Sequence, residues 1–181
     1  MAVDNQKRPS VPGIEGAKKL PEYKLDSIAT WNVRTLNQDF HTELVIKEMK
    51  RLKIKILGVS ETHWTCSTPE TFEQDNCVIL QSPRKDNIKR QGVAFIIDQS
   101  LARNIVDYNC ISERLISVTL STIEGPLTIF QVYAPDTSYS ESDIEEFYDC
   151  LQHHVNSLPS KNKFIVMGDF NAKIGEEQYE N

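Results

Sequence analysis

The stretch FIVMGDFNAKIG, residues 164–175, closes an apolar run with an aspartate and an asparagine two positions apart, Asp169 and Asn171. Asp169 can accept a proton or hold an attacking water, and Asn171 can donate hydrogen bonds to charged oxygens. Three other apolar runs also end in polar groups: SIATWNV (27–33) delivers Asn32, IKILGVSETHW (54–64) delivers Glu61, and PLTIFQVYAPD (126–136) delivers Tyr133 and Asp136. Glu61 is a hard oxygen ligand of the kind Mg2+ takes, because that ion uses one or two carboxylates and keeps its waters. Asn32 can add a carbonyl oxygen or orient the carboxylate, and Tyr133 can donate to a charged oxygen. Singly, each has an ordinary structural reading: a surface glutamate, a turn asparagine, a half-buried tyrosine, a capping aspartate. Jointly, at the ends of separate strands, they supply what phosphoester hydrolysis needs, charge neutralisation and an in-line water.

Rigid strands must hold such groups convergent. SIATWNV is β-branched and aromatic, which favours a strand. TELVIKEMKRL (42–52) places Val45, Met49 and Leu52 on one helical face, and IKILGVS (54–60) is apolar enough for a buried strand. Strands at CVILQ (77–81) and GVAFII (92–97) are joined by a basic loop, and RLISVTL (114–120) meets PLTIFQVYA (126–134) across Glu124-Gly125. The spacing predicts a helix over 141–158, striped by Ile144, Phe147, Tyr148, Leu151, Val155 and Leu158, with Ser142 and Glu145 as a capping box. A strand at KFIVMGD (163–169) leads into the opening motif, while residues 1–24, rich in Pro, Gly and charge, read as a disordered leader to a domain over 25–181. The order β-α-β, hairpins, α-β points to mixed sheets with helices on their outer faces. No GxGxxG follows the first strand and no GxxxxGK[ST] occurs, which excludes dinucleotide and P-loop sites.

Bulk composition narrows the classes further. At 181 residues, 39% hydrophobic and 25% charged, the chain can bury a real core. A net charge of −6 removes any global attraction to nucleic-acid phosphate. SPRKDNIKR (82–90) gathers Arg84, Lys85, Lys89 and Arg90 in one loop, which charge alone reads as a solvated hairpin. The cysteines at 66, 77, 110 and 150 show no metal-site or disulfide spacing. With no leading apolar run, no membrane-length segment and no glycosylation sequon, a nuclear or cytoplasmic, non-secreted protein without a membrane partner is expected.

TWNVRTL, LGVSETHW, QGVAFII, RLISVTL, VYAPD and GDFNAKIG, in that order, resemble the endonuclease/exonuclease/phosphatase superfamily across residues 26–175. WNVRTLN, SETHW and GDFNA look most like the apurinic/apyrimidinic-type endonuclease domains of non-LTR retrotransposons, especially those in craniofacial development protein 2-like sequences. The resemblance implies an α+β, DNase I-like four-layer sandwich of two mixed sheets flanked by helices. It also implies phosphodiester hydrolysis on DNA with Mg2+, or Mn2+ in its place.

Residue by residue, the resemblance makes Asn32 and Glu61 the metal-site pair and Tyr133 the donor to the scissile phosphate. Asp169 becomes the residue that positions or deprotonates the water, and Asn171 the stabiliser of the transition state. Arg114 falls in a strand motif that supports the site and, with Arg34, is expected to face substrate; His63 shapes the rim. Many relatives carry an acidic residue where Arg34 stands. Their further strands, with an aspartate and then an Asp-His pair, have no counterpart before Asn181, so a partial domain, incomplete at its C-terminus, is expected. His153 and His154 lie in the predicted helix and match no such motif. The alternatives to a DNA endonuclease are an inactive remnant that only binds, or an abasic-site repair nuclease.

Overall fold

The computed structural model describes residues 27–64, 70–83 and 91–172. The expected leader and the four cations of the basic loop lie outside them. Strand β1 (Ile28–Asn32), helix α1 (Asp39–Arg51) and strand β2 (Ile56–Ser60) form one β-α-β unit with parallel strands. The intervening chain makes β3 (Glu70–Gln74), β4 (Cys77–Gln81), β5 (Val93–Asp98), a 3-10 segment (Gln99–Asn104), β6 (Ile105–Ser112) and β7 (Leu115–Thr122). A second β-α-β unit follows, β8 (Gly125–Tyr133), α2 (Glu141–Asn156) and β9 (Lys163–Asp169), again parallel. The strands build two mixed sheets, ordered β1-β2-β5-β4-β3 and β6-β7-β8-β9. Among the described residues, each sheet therefore carries one parallel pair, at one end.

Strand parity decides the layers. Ile56, Val93, Phe95 and Ile97 of the first sheet meet Ile116, Val118, Leu120 and Ile129 of the second in a core buried between the sheets. The alternate residues Leu57, Val59, Ala94 and Ile96 face outward, where α1 covers them with Val45, Ile46 and Met49. On the other side Phe130 and Val132 point away from the core and are covered by Phe147 and Leu151 of α2. The central strands β2 and β4 are buried along their whole length because both faces are packed. Each large apolar side chain so buried contributes about 1.5–3 kcal/mol. The result is the four-layer, DNase I-like sandwich that the resemblance implied.

Several local expectations shift. Leu52 is half exposed, and Ile46 takes its place on the α1 stripe. Tyr148 is exposed on α2. The capping box uses Ser140 and Asp143 rather than Ser142 and Glu145: Ser140 has the extended backbone of a cap (φ −65, ψ 154), whereas Ser142 already lies inside the first turn. The sequence reading passed over β3 and β6. Both are edge strands interrupted by polar residues, Glu70 and Glu73 in the first and Asp107 and Asn109 in the second, so neither makes an apolar run. The signal for β3 was the two-residue turn Asp75-Asn76, whose positive φ values (48 and 61) make the tight hairpin into β4. Among the described residues no helix is long and apolar enough to cross a membrane.

A polar layer spans the sheets near the ends of the parallel pairs. Gln131 is fully buried; its Oε1 accepts from the Thr30 hydroxyl (3.1 Å) and its Nε2 donates to Ser60 Oγ (2.9 Å). Ser60 in turn donates to the Val132 carbonyl at 3.2 Å. Gly58 makes room for this strut, since a Cβ there would lie 2.0 Å from Gln131 Oε1. Gly168 answers a harder demand, with φ +144 and a would-be Cβ 2.0 Å from the Val132 backbone oxygen. Gly58→Ala should cost about 1–3 kcal/mol by overpacking and be partly rescued by Gln131→Ala in a urea-unfolding double-mutant cycle. Gly168→Ala should cost more and gain nothing from Gln131→Ala; equal rescue of both would contradict this account.

Candidate active site

Parallel pairing within each sheet aligns strand C-termini. Asn32 lies opposite Ser60, the residue before Glu61, and Tyr133 lies opposite Asp169. Because the sheets pack face to face, these ends converge. The Asn32 amide nitrogen donates to Glu61 Oε1 (2.7 Å) and to Asp169 Oδ2 (2.8 Å), so its two hydrogens join carboxylates from different sheets. The Tyr133 hydroxyl donates to the same Glu61 oxygen at 3.0 Å. Asp169 Oδ1 accepts from the Asn171 backbone N–H (3.0 Å), and the Asn171 side-chain amide donates to the Ala134 carbonyl at 2.7 Å. Asn32, Glu61, Tyr133, Asp169 and Asn171 thus form one connected set.

The backbone is bent to achieve this. Arg34, Glu61, His63 and Asn171 all adopt left-handed φ values (57, 58, 55 and 47), which cost non-glycine residues energy and cluster at functional sites. The turn at Arg34 has a direct consequence: its N–H donates to Asn32 Oδ1 at 3.1 Å. That bond engages the Asn32 oxygen and turns the nitrogen toward the carboxylates. Of the two roles open to Asn32, orienting the carboxylates is the one this geometry displays.

The expectation that Arg114 faces substrate is corrected. It is 9% exposed, donates from Nη1 to the Tyr133 carbonyl (3.1 Å), and sits between the rings of Tyr133 (5.2 Å) and Tyr139 (4.7 Å). A guanidinium held by two aromatic faces and a carbonyl braces Tyr133. Arg34 is exposed beside Asn32, at the rim. His63 brings Nε2 to 3.7 Å from Glu61 Oε2, also at the rim. Asp136 accepts from the Ser138 N–H in a local turn. Sequence reasoning missed Thr30, Ser60, Gln131 and Tyr139. A glutamine inside the apolar strand LTIFQVYA, two residues before Tyr133 and so on its face, was the available signal.

Thr30, Asn32, Gly168, Asp169, Phe170, Asn171 and Ala172 line an open cleft of about 340 Å³. At its Asn32 and Asp169 wall, the Asn32 amide separates Asp169 from Glu61, which lies behind it. Burial first, then the Glu61 charge and the hydrogen bond to Glu61, push the Tyr133 phenol up to about 12, so it stays a neutral donor at physiological pH. Among the described residues no three Asp, Glu, His or Cys side chains form an all-protein cation cage.

Strand-end polar groups converging between two helix-covered sheets define a domain class, and the sequence comparison agrees with the geometry. The chain belongs to the Endonuclease/Exonuclease/phosphatase family, whose profile matches residues 29–181. Craniofacial development protein 2 of Bos taurus is similar, at 34% identity over 151 residues, covering 83% of this chain and 25% of the relative. The chain therefore spans about a quarter of the length of that curated relative. Among solved structures, an AP endonuclease from Archaeoglobus fulgidus superposes with a TM-score of 0.56 at 20% identity, covering 80% of this chain and 56% of that one. The endonuclease domain of TRAS1, a telomere-specific non-LTR retrotransposon, gives 0.55 at 17%, covering 80% and 59%. At those identities the likeness establishes the fold.

The raised Tyr133 pKa has a sign that can be tested. The folded chain holds this proton more tightly than the unfolded chain, whose phenol titrates near 10, so the contribution to stability is complete below about pH 10 and is lost toward about pH 12. Urea unfolding across that window should show wild type losing more stability than Tyr133→Phe. Parallel curves would contradict the assignment of this proton to Tyr133.

Proposed function

We propose that this domain is a divalent-metal-assisted phosphodiesterase that nicks DNA. One observation carries the reading: Asn32, Glu61, Tyr133 and Asp169, from four strand ends of two sheets, are joined in a single hydrogen-bonded set. A structural role alone would not favour two carboxylates held face to face by one amide beside an open cleft. The nuclease character of the similar structures, an AP endonuclease and a retrotransposon endonuclease domain, supports DNA as the substrate class.

The donor set fits a hydrated Mg2+ or Mn2+. Glu61 and Asp169 offer hard carboxylate oxygens, and Mg2+ needs only one or two of these. A cation bound there would neutralise phosphate charge and favour in-line attack by water. The protein's own groups supply the rest. Asp169, held through both oxygens by Asn32 and the Asn171 N–H, is oriented to accept a proton from the attacking water. Tyr133, kept protonated, has one hydroxyl hydrogen, which Glu61 accepts in the free domain; turned from Glu61 to a phosphate oxygen it would donate without adding charge, and Arg114 fixes its ring. Asn171 offers a neutral amide, and Arg34 at the rim meets the DNA backbone.

A plasmid-nicking assay tests the reading. The 181-residue chain should relax supercoiled DNA with Mg2+ and not with EDTA, and Glu61→Gln and Asp169→Asn should each lower the rate about a hundredfold or more. Absence of nicking by folded protein, or nicking that survives both substitutions, would overturn it. Cation binding has its own readout. Asn32→Asp sets a third carboxylate where the bridging amide was, so the thermal midpoint in EDTA should fall and Mg2+ should restore more of it than in wild type. A variant indifferent to Mg2+ would count against a cation between Glu61 and Asp169.

A further inference from the structure

Tyr139 is exposed and yet held in place. Its ring is 38% exposed, but the Arg114 guanidinium carbon lies over it at 4.7 Å and the Gln91 amide donates to its hydroxyl at 3.4 Å. Gln91 is 4% exposed and Arg114 9%, so both supports are anchored in the interior. The Tyr139 N–H donates to the Asp136 carbonyl at 3.1 Å, which closes the turn that Ser140 continues as the cap of α2. A surface ring keeps its freedom when nothing requires its position. One fixed by a buried cation and a buried amide is preorganised, and with one face on Arg114 its opposite face is open to a flat ligand.

Its place in the sheet says which ligand. The Tyr133 N–H donates to the Arg114 carbonyl at 2.9 Å, and the Arg114 guanidinium also lies over the Tyr133 ring at 5.2 Å. Tyr139 is thus the outer member of a stack whose inner member reaches Glu61, and Asp169 lies on the other side of Tyr133, in register with it. A DNA strand with a phosphate at Tyr133 and Asp169 carries its neighbouring nucleotide past Tyr139. With a net charge of −6, phosphate attraction supplies little of the affinity, and base–aromatic stacking is a term that needs no charge. A base inside a duplex has both faces covered, so only an unpaired one can offer a face to the ring. We infer that Tyr139 is a stacking platform for an unpaired nucleobase beside the phosphate held at Tyr133. The domain therefore selects DNA with a bulged, frayed or single-stranded nucleotide there over fully paired duplex. This rests on the nuclease reading for its substrate class but is measured by binding.

Fluorescence anisotropy with Mg2+, in the Glu61→Gln background where nicking is not expected, tests it. The probes share one sequence: a paired duplex, the same duplex with an unpaired thymine, and one with an abasic nucleotide in the thymine's place. The unpaired thymine should bind about tenfold more tightly than either of the others. Tyr139→Leu should abolish that preference, and Tyr139→Phe, which keeps the ring, should retain it. The preference should persist as salt rises, while the loss caused by Arg34→Ala shrinks. Equal binding of all probes, tighter binding of the abasic one, or a preference that survives Tyr139→Leu would overturn the inference. So would an equal loss on every probe in Tyr139→Leu, since Tyr139 would then act only by bracing Arg114 and Tyr133. DNA bound with this preference but never nicked by wild type would sink the nuclease reading alone.

Discussion

Two hydrogens on one amide tie the halves of this domain together where the chemistry is placed. Asn32 belongs to the first sheet, as does Glu61; Asp169 belongs to the second, and the Asn32 nitrogen reaches both carboxylates within 2.8 Å. Bonds to charged acceptors are worth about 1.5–3 kcal/mol each, and here they oppose the mutual repulsion of two carboxylates. The bridge is possible only because each sheet ends in a parallel pair, which brings the C-terminal ends of β1 and β2, and of β8 and β9, to the same side. It also depends on the Arg34 N–H, which selects the orientation of the amide. The left-handed backbone at Arg34, Glu61, His63 and Asn171 is then the local cost of aiming four groups at one place.

Beneath that layer the requirement is rigidity. Thr30, Ser60 and Gln131 link the sheets one step deeper, with the Gln131 amide and the Ser60 hydroxyl satisfied inside a core that would otherwise penalise them. Arg114 performs a related task on the other flank, pinned to the Tyr133 carbonyl and sandwiched by two rings. The donors of the connected set are neutral, a phenol kept protonated and two amides, while its acceptors are the carboxyls of Glu61 and Asp169. On the proposed reading this resolves an apparent conflict, since an acidic site repels phosphate until a cation intervenes, and neutral donors do not compete with that cation for the carboxylates.

Much of this was legible in the residues, for identifiable reasons. Buried strands such as ILGVS and VAFIID announce themselves by unbroken apolar runs, and the α2 stripe by its period. Groups at strand ends stood out because a core would not choose them. What escaped notice obeys the opposite logic. β3 and β6 are edge strands, and Glu70, Glu73, Asp107 and Asn109 break up their apolar pattern. Arg114 was misplaced because a cation suggests a phosphate, whereas its surroundings are two tyrosines, one at the end of β8 and one in the turn that follows it. The bridging role of Asn32 needed tertiary geometry: sequence offers an amide, and only the Arg34 N–H settles which end of it meets the carboxylates.

The cleft, the Asn32 bridge and the end of β9 are one region of the molecule, and that couples their energetics. Asp169 ends β9 opposite Tyr133, and Phe170 carries apolar surface up to Asn171. On the proposed reading, a substrate seated in the cleft would remove water from beside Asp169. Lower local dielectric strengthens the Asn32 bridge and the Tyr133–Glu61 hydrogen bond, and it raises the cost of leaving two carboxylates without a cation. A ligand that binds only the folded chain also adds its binding free energy to stability by mass action. On that reading, occupation of the cleft, cation binding and rigidity of the site would be linked through the same few residues.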